Sequence, residues 1–268
     1  MSCFENVAAR QLKRQIKSCQ QVHPDENYLW TRLADGIAAI TKPEYTRKLN
    51  HVAGFAMRGP VTTEEILNLV TIARSKGGMI PEIDLCPLAH PTALTALTSA
   101  GFFVNNFANV YAKSLSGDSL PIAPPPPGIE IVTAGLSDRE MFVRASVDGA
   151  RDTGRPVELL ELLARSAFNR SDTVVFLAMA QNSIVGGGAL AVFETDLGLM
   201  AHLYIDTTVP EFRGRGIQMA LMGERLRHSQ QIGCVWATVD ARTGSASSRN
   251  IERAGFQLAY TKPTFAKQ

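Results

Sequence analysis

The sequence predicts a mixed α/β protein built as two halves, each ending in a β-α-β-α-β series. Three observations predict it: an apolar, lightly charged composition, a proline run dividing the chain, and an ordered alternation of periodicities in the second half. Hydrophobic residues make up 45% of the 268 and charged residues 19%, enough to build a core. The 27 basic residues nearly balance the 25 acidic ones, leaving a net charge of +2. Such a balance argues against broad phosphate-backbone binding, so nucleic acid is not an expected partner. No stretch approaches the ~18–20 apolar residues that span a bilayer, so no membrane is expected, and Met1–Lys17 has no apolar core of a secretory leader. The four cysteines (Cys3, Cys19, Cys86, Cys234) form no CxxC pair. They read as reduced thiols of a cytoplasmic protein, with no metal site, and Cys86 and Cys234 fall in apolar runs expected in the core.

The run Pro121-Ile122-Ala123-Pro124-Pro125-Pro126-Pro127-Gly128 cannot continue a helix or a central strand. It predicts a linker at 121–128, an accessory domain over 1–120 and a second domain over 128–268. In the second domain Gly128–Val132 reads as a strand. Ser137 reads as the start of a helix, with Glu140 placed as in a capping box. Val157–Phe168 carries a helical stripe of Leu159, Leu160, Leu163 and Ala167. Thr173–Ala180, Ile184–Phe193 and Leu199–Val209 are three strands whose short connections predict an antiparallel meander. A helix follows from Ile217 to about Gln230, then a strand at Cys234–Asp240, a helix at Ser245–Ala254 and a last strand ending near Phe265. The order is β-α-α-β-β-β-α-β-α-β.

The first half predicts a helix over Asn6–Gln21, a strand within Tyr28–Ile40, a strand at Asn50–Met57 and a helix at Thr62–Ser75. A strand at Pro81–Leu85, a helix at Pro91–Ser99 and a strand through Leu115 complete it. The segment ending Ser99-Ala100-Gly101-Phe102 parallels the one ending Arg253-Ala254-Gly255-Phe256, which suggests a duplicated fold.

Chemistry is carried by Val209-Pro210-Glu211-Phe212-Arg213-Gly214-Arg215-Gly216-Ile217-Gln218, between a strand and a helix. Gly214 and Gly216 let an anion approach the backbone. The first helical amides carry the positive end of the dipole, and Arg213 and Arg215 add donors suited to phosphate. A plain glycine turn with solvated arginines would share this pattern. A Walker A loop is excluded because no Gly-Lys-Ser/Thr follows, and the preceding meander is not the βαβ unit of a Rossmann fingerprint.

This segment, Val-x-Pro-x-x-Arg-Gly-x-Gly-Ile, resembles the acetyl-CoA motif of the GCN5-related (GNAT) N-acetyltransferases. Ser248 to Phe256 (Ser-x-Asn-x-x-x-Ala-Gly-Phe) resembles that family's C-terminal signature. The resemblance covers about half the chain and implies tandem GNAT-like mixed sheets flanked by helices, with two strands splayed around the cofactor. It implies acetyl-CoA as cofactor and an amine as acceptor. The pantetheine arm would pair with the strand edge at Ile205, Thr207 and Val209, as an added strand does. Amides near Leu203–Ile205 would hold the oxyanion. Phosphate contacts would fall on Arg213, Gly214, Arg215, Gly216, Ile217 and Gln218, with Asn250 touching the arm. The loop Asp148–Pro156 would border the acceptor pocket. Two departures stand out: Glu211 replaces a common Gln or Arg, and Ile251 occupies the place of a common tyrosine acid.

An amine must lose its proton before attacking a thioester. His202, Tyr204 and Asp206 alternate along one strand and are expected on one face beside the reaction centre, Tyr204 and Asp206 being the leading catalytic candidates. A solvated face would read the same way. Tyr260 is the candidate replacement acid. The segment of the first half that would match the cofactor loop, Arg58–Ile66, has no Arg-Gly-x-Gly, and Thr62 with Glu65 reads as a helix cap. The first half is therefore expected not to bind CoA. The leading function is an acetyl-CoA-dependent N-acetyltransferase. The alternatives are a non-catalytic acyl-CoA-binding sensor and an aminoacyl-tRNA-dependent transferase, and a homodimer is allowed.

Overall fold

The computed structural model describes residues 2–117 and 124–268. In chain order the first half contains α1 (Ser2–Val22), β1 (Leu29–Leu33), β2 (Gly36–Ile40), the single turn α2 (Thr46–Leu49), β3 (His51–Ala53), α3 (Thr63–Ser75), β4 (Glu82–Asp84), α4 (Thr92–Ser99) and β5 (Phe103–Ser114). The second contains β6 (Ile129–Thr133), α5 (Arg139–Asp148), α6 (Val157–Phe168), β7 (Thr173–Ala180), β8 (Ser183–Thr195), β9 (Gly198–Thr208), α7 (Ile217–Gln231), β10 (Cys234–Arg242), α8 (Ala246–Arg253) and β11 (Gln257–Ala266). The order expected of the second half is observed; in the first half the one strand expected within Tyr28–Ile40 is two, β1 and β2, and the short α2 joins the expected elements. No helix among the described residues is long and apolar enough to cross a membrane.

The compact units divide the chain away from the proline run. One comprises Met1–Val110 with Ala259–Gln268, the other Tyr111–Leu258. The chain passes between units inside β5 and β11, so each unit is completed by strand residues from the opposite end of its neighbour's sequence. Uniform β-patterning across those two strands carries no mark of this, which is why the boundary was expected at the prolines. Pro121, Ile122 and Ala123 lie outside the described residues.

In the first unit the strand order is β1-β2-β3-β4-β11. The first two form a hairpin in which Leu29 faces Ile40 and Leu33 faces Gly36. The pair β3/β4 is parallel, and β11 joins β4 antiparallel. Its core unites Ile40, Val52, Phe55, Ile66, Leu69, Ile83, Leu97, Phe102 and Phe265.

In the second unit the order is β5-β10-β9-β8-β7-β6. The meander β7-β8-β9 is antiparallel, and β10 runs parallel to β9. Helix α7 covers one face through Ile217, Leu221 and Leu226; α5 and α6 cover the other through Phe142, Val143 and Ala164. The run Gly186-Gly187-Gly188 in β8 allows this close approach. An added Cβ would lie 3.1 Å from Ile217 Cγ2 at Gly186, 2.5 Å from Phe142 Cε2 at Gly187 and 2.8 Å from Arg225 Cζ at Gly188. The cap expected at Ser137 and Glu140 is not formed. Gly135 N–H donates to Asp138 Oδ2 at 2.8 Å instead, while Glu140 takes a bidentate contact from Arg165 at 2.6 and 2.9 Å.

The duplication is visible in small features at a constant offset of 154 residues. Gly101 and Gly255 both end their helices in the left-handed region. Phe102 N–H returns to Leu97 C=O and Phe256 N–H to Ile251 C=O. Lys267 donates to Ala100 C=O as Lys113 does to Ala254 C=O.

Candidate active site

The parallel ladder of β9 and β10 runs from Leu199↔Cys234 to His202↔Thr238. Beyond that rung β9 continues to Thr208 and β10 to Arg242 with no further pairing between them. The two strands part there, leaving a gap with an unpaired β9 edge. At its base His202 Nδ1 lies 3.1 Å from Thr238 Oγ1, which donates to Ala201 C=O at 3.3 Å.

The β9 edge is bulged. Tyr204 faces Ala189 and Thr207 faces Gly187, so Ile205 and Asp206 together oppose Gly188. Ile205 has φ of 52°, in the left-handed region that a β-branched residue rarely adopts. The extra residue inverts the alternation. Asp206 therefore lies on the α7 face, ion-paired with Arg225, and not on the face of Tyr204 as period-2 reading expects. Tyr204 stays with His202, their rings stacked at 6.3 Å, and its hydroxyl is 2.8 Å from Thr173 Oγ1. Val209 N–H is committed to Val185 C=O at 2.9 Å, on the β8 side. By alternation Thr207 faces β8 as well, and the amide turned toward the gap is that of Thr208, one residue out of the expected phase. A bulge has no periodicity signal, although three adjacent glycines in the facing strand hint at a close approach.

After a 3-10 turn at Pro210–Phe212 the chain enters α7 through Gly214 (φ 75°) and Gly216 (φ 87°). Gly216 is the N-cap and supplies no side chain to the helix amides. Ala220 N–H to Gly216 C=O is the first helical bond at this end, so the amides of Ile217, Gln218 and Met219 have no partner inside the helix. Among the described residues, and apart from its chain neighbours, nothing lies within 4 Å of the position a Cβ would take on Gly214. The Ile217 side chain is core; only its backbone is offered. Asn250 Nδ2 donates to Gln218 Oε1 at 2.7 Å, joining the two motifs that the sequence singled out.

The loop arginines are placed differently from their expected role as outward phosphate donors. Arg213 is held by Asp152, by Gly149 C=O at 2.8 Å and by Thr208 C=O at 3.3 Å. Arg151 pairs with Glu211. The loop after β9 and the loop after α5 are thus joined by two ion pairs, and the hydrogen bond from Arg213 holds Asp152 down at about 2. Glu211 is also below the usual carboxylate range, through its own backbone amide and then Arg151. Arg215 donates to Glu211 C=O at 3.1 Å and its guanidinium lies over the Phe212 ring. Sequence spacing could not reveal that Asp152, about sixty residues away, would claim Arg213.

The candidate acid Tyr260 is committed to another partner. It belongs to the first unit, where its hydroxyl donates to Glu5 Oε1 at 2.7 Å. Ile251 is buried in the second unit's core and carries no proton to give. Burial pushes the Cys234 thiol up to about 11 and also raises Cys86, which suits inert core residues.

No protein-family model matches the sequence, and no curated protein matches it. Solved structures do resemble the fold. One described as a GCN5-related N-acetyltransferase from Kribbella flavida has a TM-score of 0.64 at 14% identity, over 97% of this chain and 95% of the other. A tandem GNAT protein from the clavulanic acid biosynthesis pathway gives 0.57 at 12% identity, over 76% and 66%. A GCN5-related N-acetyltransferase from Sphaerobacter thermophilus gives 0.54 at 16%, over 86% and 75%. Identities this low establish a likeness of fold and leave the chemistry to the residues.

Proposed function

From a chain with the tandem GCN5-related N-acetyltransferase fold, we propose an acyl-CoA-dependent N-acyltransferase that moves an acetyl group from acetyl-CoA directly to an amine. The observation that carries the reading is the gap beyond His202↔Thr238, closed at one end by an α7 N-terminus with three amides unused by the helix. A strand-like arm bearing a pyrophosphate fits such a setting: an open β edge on one side, an anion seat on the other. Residues that would hold the cofactor are the backbone of Gly214–Gln218, the Thr208 amide, and the Gln218–Asn250 pair. When bound, the thioester supplies an activated acyl carbon. The bulge at Ile205 would supply backbone donors for its oxyanion. His202 and Tyr204 on one face are the groups nearest the base of the gap that can hold or pass a proton.

A second reading, an acyl-CoA-binding module without turnover, is favoured by the commitments of Tyr204 to Thr173 and of Tyr260 to Glu5. Calorimetry and a thiol-release assay over an amine panel separate the two. Wild-type protein is expected to bind acetyl-CoA, and Gly214→Asp, which sets a carboxylate in the anion seat, to weaken binding about 30-fold or more. Binding without thiol release on any amine supports the sensor. Absence of binding in the wild type removes both readings.

A further inference from the structure

Between α7 and the bulge lies an ion pair that a soluble protein rarely builds for stability. Arg225 is fully buried, with none of its surface exposed, and its guanidinium pairs with Asp206, whose side chain is 21% exposed. A buried ion pair is seldom more stabilising than apolar side chains of the same size, so its presence calls for a geometric reason. The reason is visible in what the guanidinium touches. Nη2 and Nη1 meet Asp206 on the bulged strand, while Nη1 donates to Ala189 C=O at 3.2 Å on the facing strand. Nε donates to Leu221 C=O at 3.2 Å, anchoring the group to its own helix. Arg225 C=O in turn accepts from Ser229 Oγ at 2.6 Å. The planar fork thus links α7, β8 and β9 at one point.

That point is the bulge. Gly188, the residue opposed by Ile205 and Asp206, is where an added Cβ would lie 2.8 Å from Arg225 Cζ and Nη1. Glycine makes room for the guanidinium against the backbone, and the guanidinium reaches the residue that follows the strained one. A left-handed β-branched residue persists only where its surroundings over-determine it. Ile205 at φ 52° is such a residue, and Asp206 is its immediate successor.

We propose that Asp206 and Arg225 are a positioning pair that locks the Ile205 bulge, so that backbone donors at the acyl end of the β9–β10 gap are held ready for the thioester carbonyl. The inference rests on the acyl-CoA reading. It makes Asp206 a residue that acts through the backbone and not a general base.

The test compares dissociation constants of acetyl-CoA and free CoA by calorimetry, alongside thermal melts. The proteins are the wild type, Asp206→Asn, Arg225→Met and the Asp206→Asn/Arg225→Met double variant. The wild type is expected to prefer acetyl-CoA by about threefold or more, the increment of one well-aimed carbonyl contact. In Asp206→Asn that preference vanishes while CoA itself binds within about threefold of wild type, because the pyrophosphate seat is untouched. A purely structural role would lower the melting temperature and leave the preference intact, which overturns the proposal. So does a wild type that binds both nucleotides equally. If either single variant does not fold, above all Asp206→Asn, which leaves the buried Arg225 charge without its carboxylate, the double variant, in which no charge is left buried alone, carries the same comparison. Failure of the wild type to bind either nucleotide has a different meaning: it removes the acyl-CoA reading itself.

Discussion

The helices α3 and α7 occupy equivalent places 154 residues apart, each crossing between two parallel strands, and their N-termini are finished in opposite ways. In α3 the cap is Thr62. Its Oγ1 accepts from Glu65 N–H at 3.2 Å, and Glu65 Oε2 accepts from Thr62 N–H at 2.8 Å. At the matching position of α7 stands Gly216, with no side chain to offer. The strands that feed these helices differ in the same sense. Gly54, which matches Thr208, gives its amide to Glu5 Oε2 at 3.3 Å, a carboxylate brought in by α1. A duplicated β-α-β unit is closed by its own carboxylates in one copy and has no side-chain cap in the other. On the acyl-CoA reading proposed above, fold and anion seat are separable: a few side chains would decide whether a helix N-terminus is a structural joint or a binding site.

The carboxylate that seals the first copy belongs to a buried network. Glu5 Oε1 accepts from Tyr260 and from Lys262 Nζ at 3.3 Å, and Asp84 accepts from Arg47 and from Thr264 Oγ1 at 2.8 Å. Burial alone would push Asp84 up, but Arg47 and Lys262 hold it below its ordinary value. His51 is enclosed beside this network, although part of the residue reaches solvent. Burial first, then Arg47, lowers its pKa to about 3, and Nδ1 is 3.0 Å from Arg47 C=O. This gives the largest expected effect. Between its unfolded value of 6.5 and about 3, His51 binds a proton only in the unfolded chain. Stability is therefore lost as pH falls through that window, by up to about 1.4 kcal/mol per pH unit. Denaturant titrations from pH 7 to 4 should show this slope, and His51→Asn should flatten it. An unchanged slope would mean that the sealed copy does not depend on a neutral histidine.

The cap itself comes next. Thr62→Ala should cost about 1 kcal/mol of stability, the usual value of an N-cap, read from the shift in urea midpoint. It should confer no acetyl-CoA affinity, because Glu64 and Glu65 remain at the helix start. Acquired binding would show that the seal, and not the acidic first turn, separates the copies.

How much of this contrast the sequence announces depends on whether a feature is local. Thr62 and Glu65 sit three residues apart, and the capping box they predict is the one formed. Gly214 and Gly216 announce their turn because only glycine takes those angles cheaply. Helix α6 and strand β7 match their expected limits because their apolar periods are unbroken. What was not legible is long-range. The bulge at Ile205 reverses the face of Asp206, Glu5 from the far end of the chain takes the Tyr260 hydroxyl, and Asp152 claims an arginine far along the chain. Each depends on which strand or loop becomes a neighbour, and no window of sequence contains that information.

The smallest expected effect concerns Arg213, which has no counterpart in the first copy, where Gly59 stands at the matching position. Its pairing with Asp152 leaves both side chains about half exposed, so the pair is screened and weak. It nonetheless keeps a guanidinium beside the open helix end occupied by a competing anion. Asp152→Asn removes that competitor without removing volume. Affinity for acetyl-CoA should then rise about threefold in low salt, and the gain should fade toward 0.5 M, where the screening length falls to about 4 Å. Glu211→Gln, which frees Arg151 instead, serves as the control and should raise affinity less, since Arg151 belongs to the α5 loop and Arg213 to the glycine loop. A loss of affinity in Asp152→Asn would reverse the interpretation. The double ion pair would then be what orders the glycine loop, and the open copy would need its own side-chain clasp just as the sealed copy needs its cap.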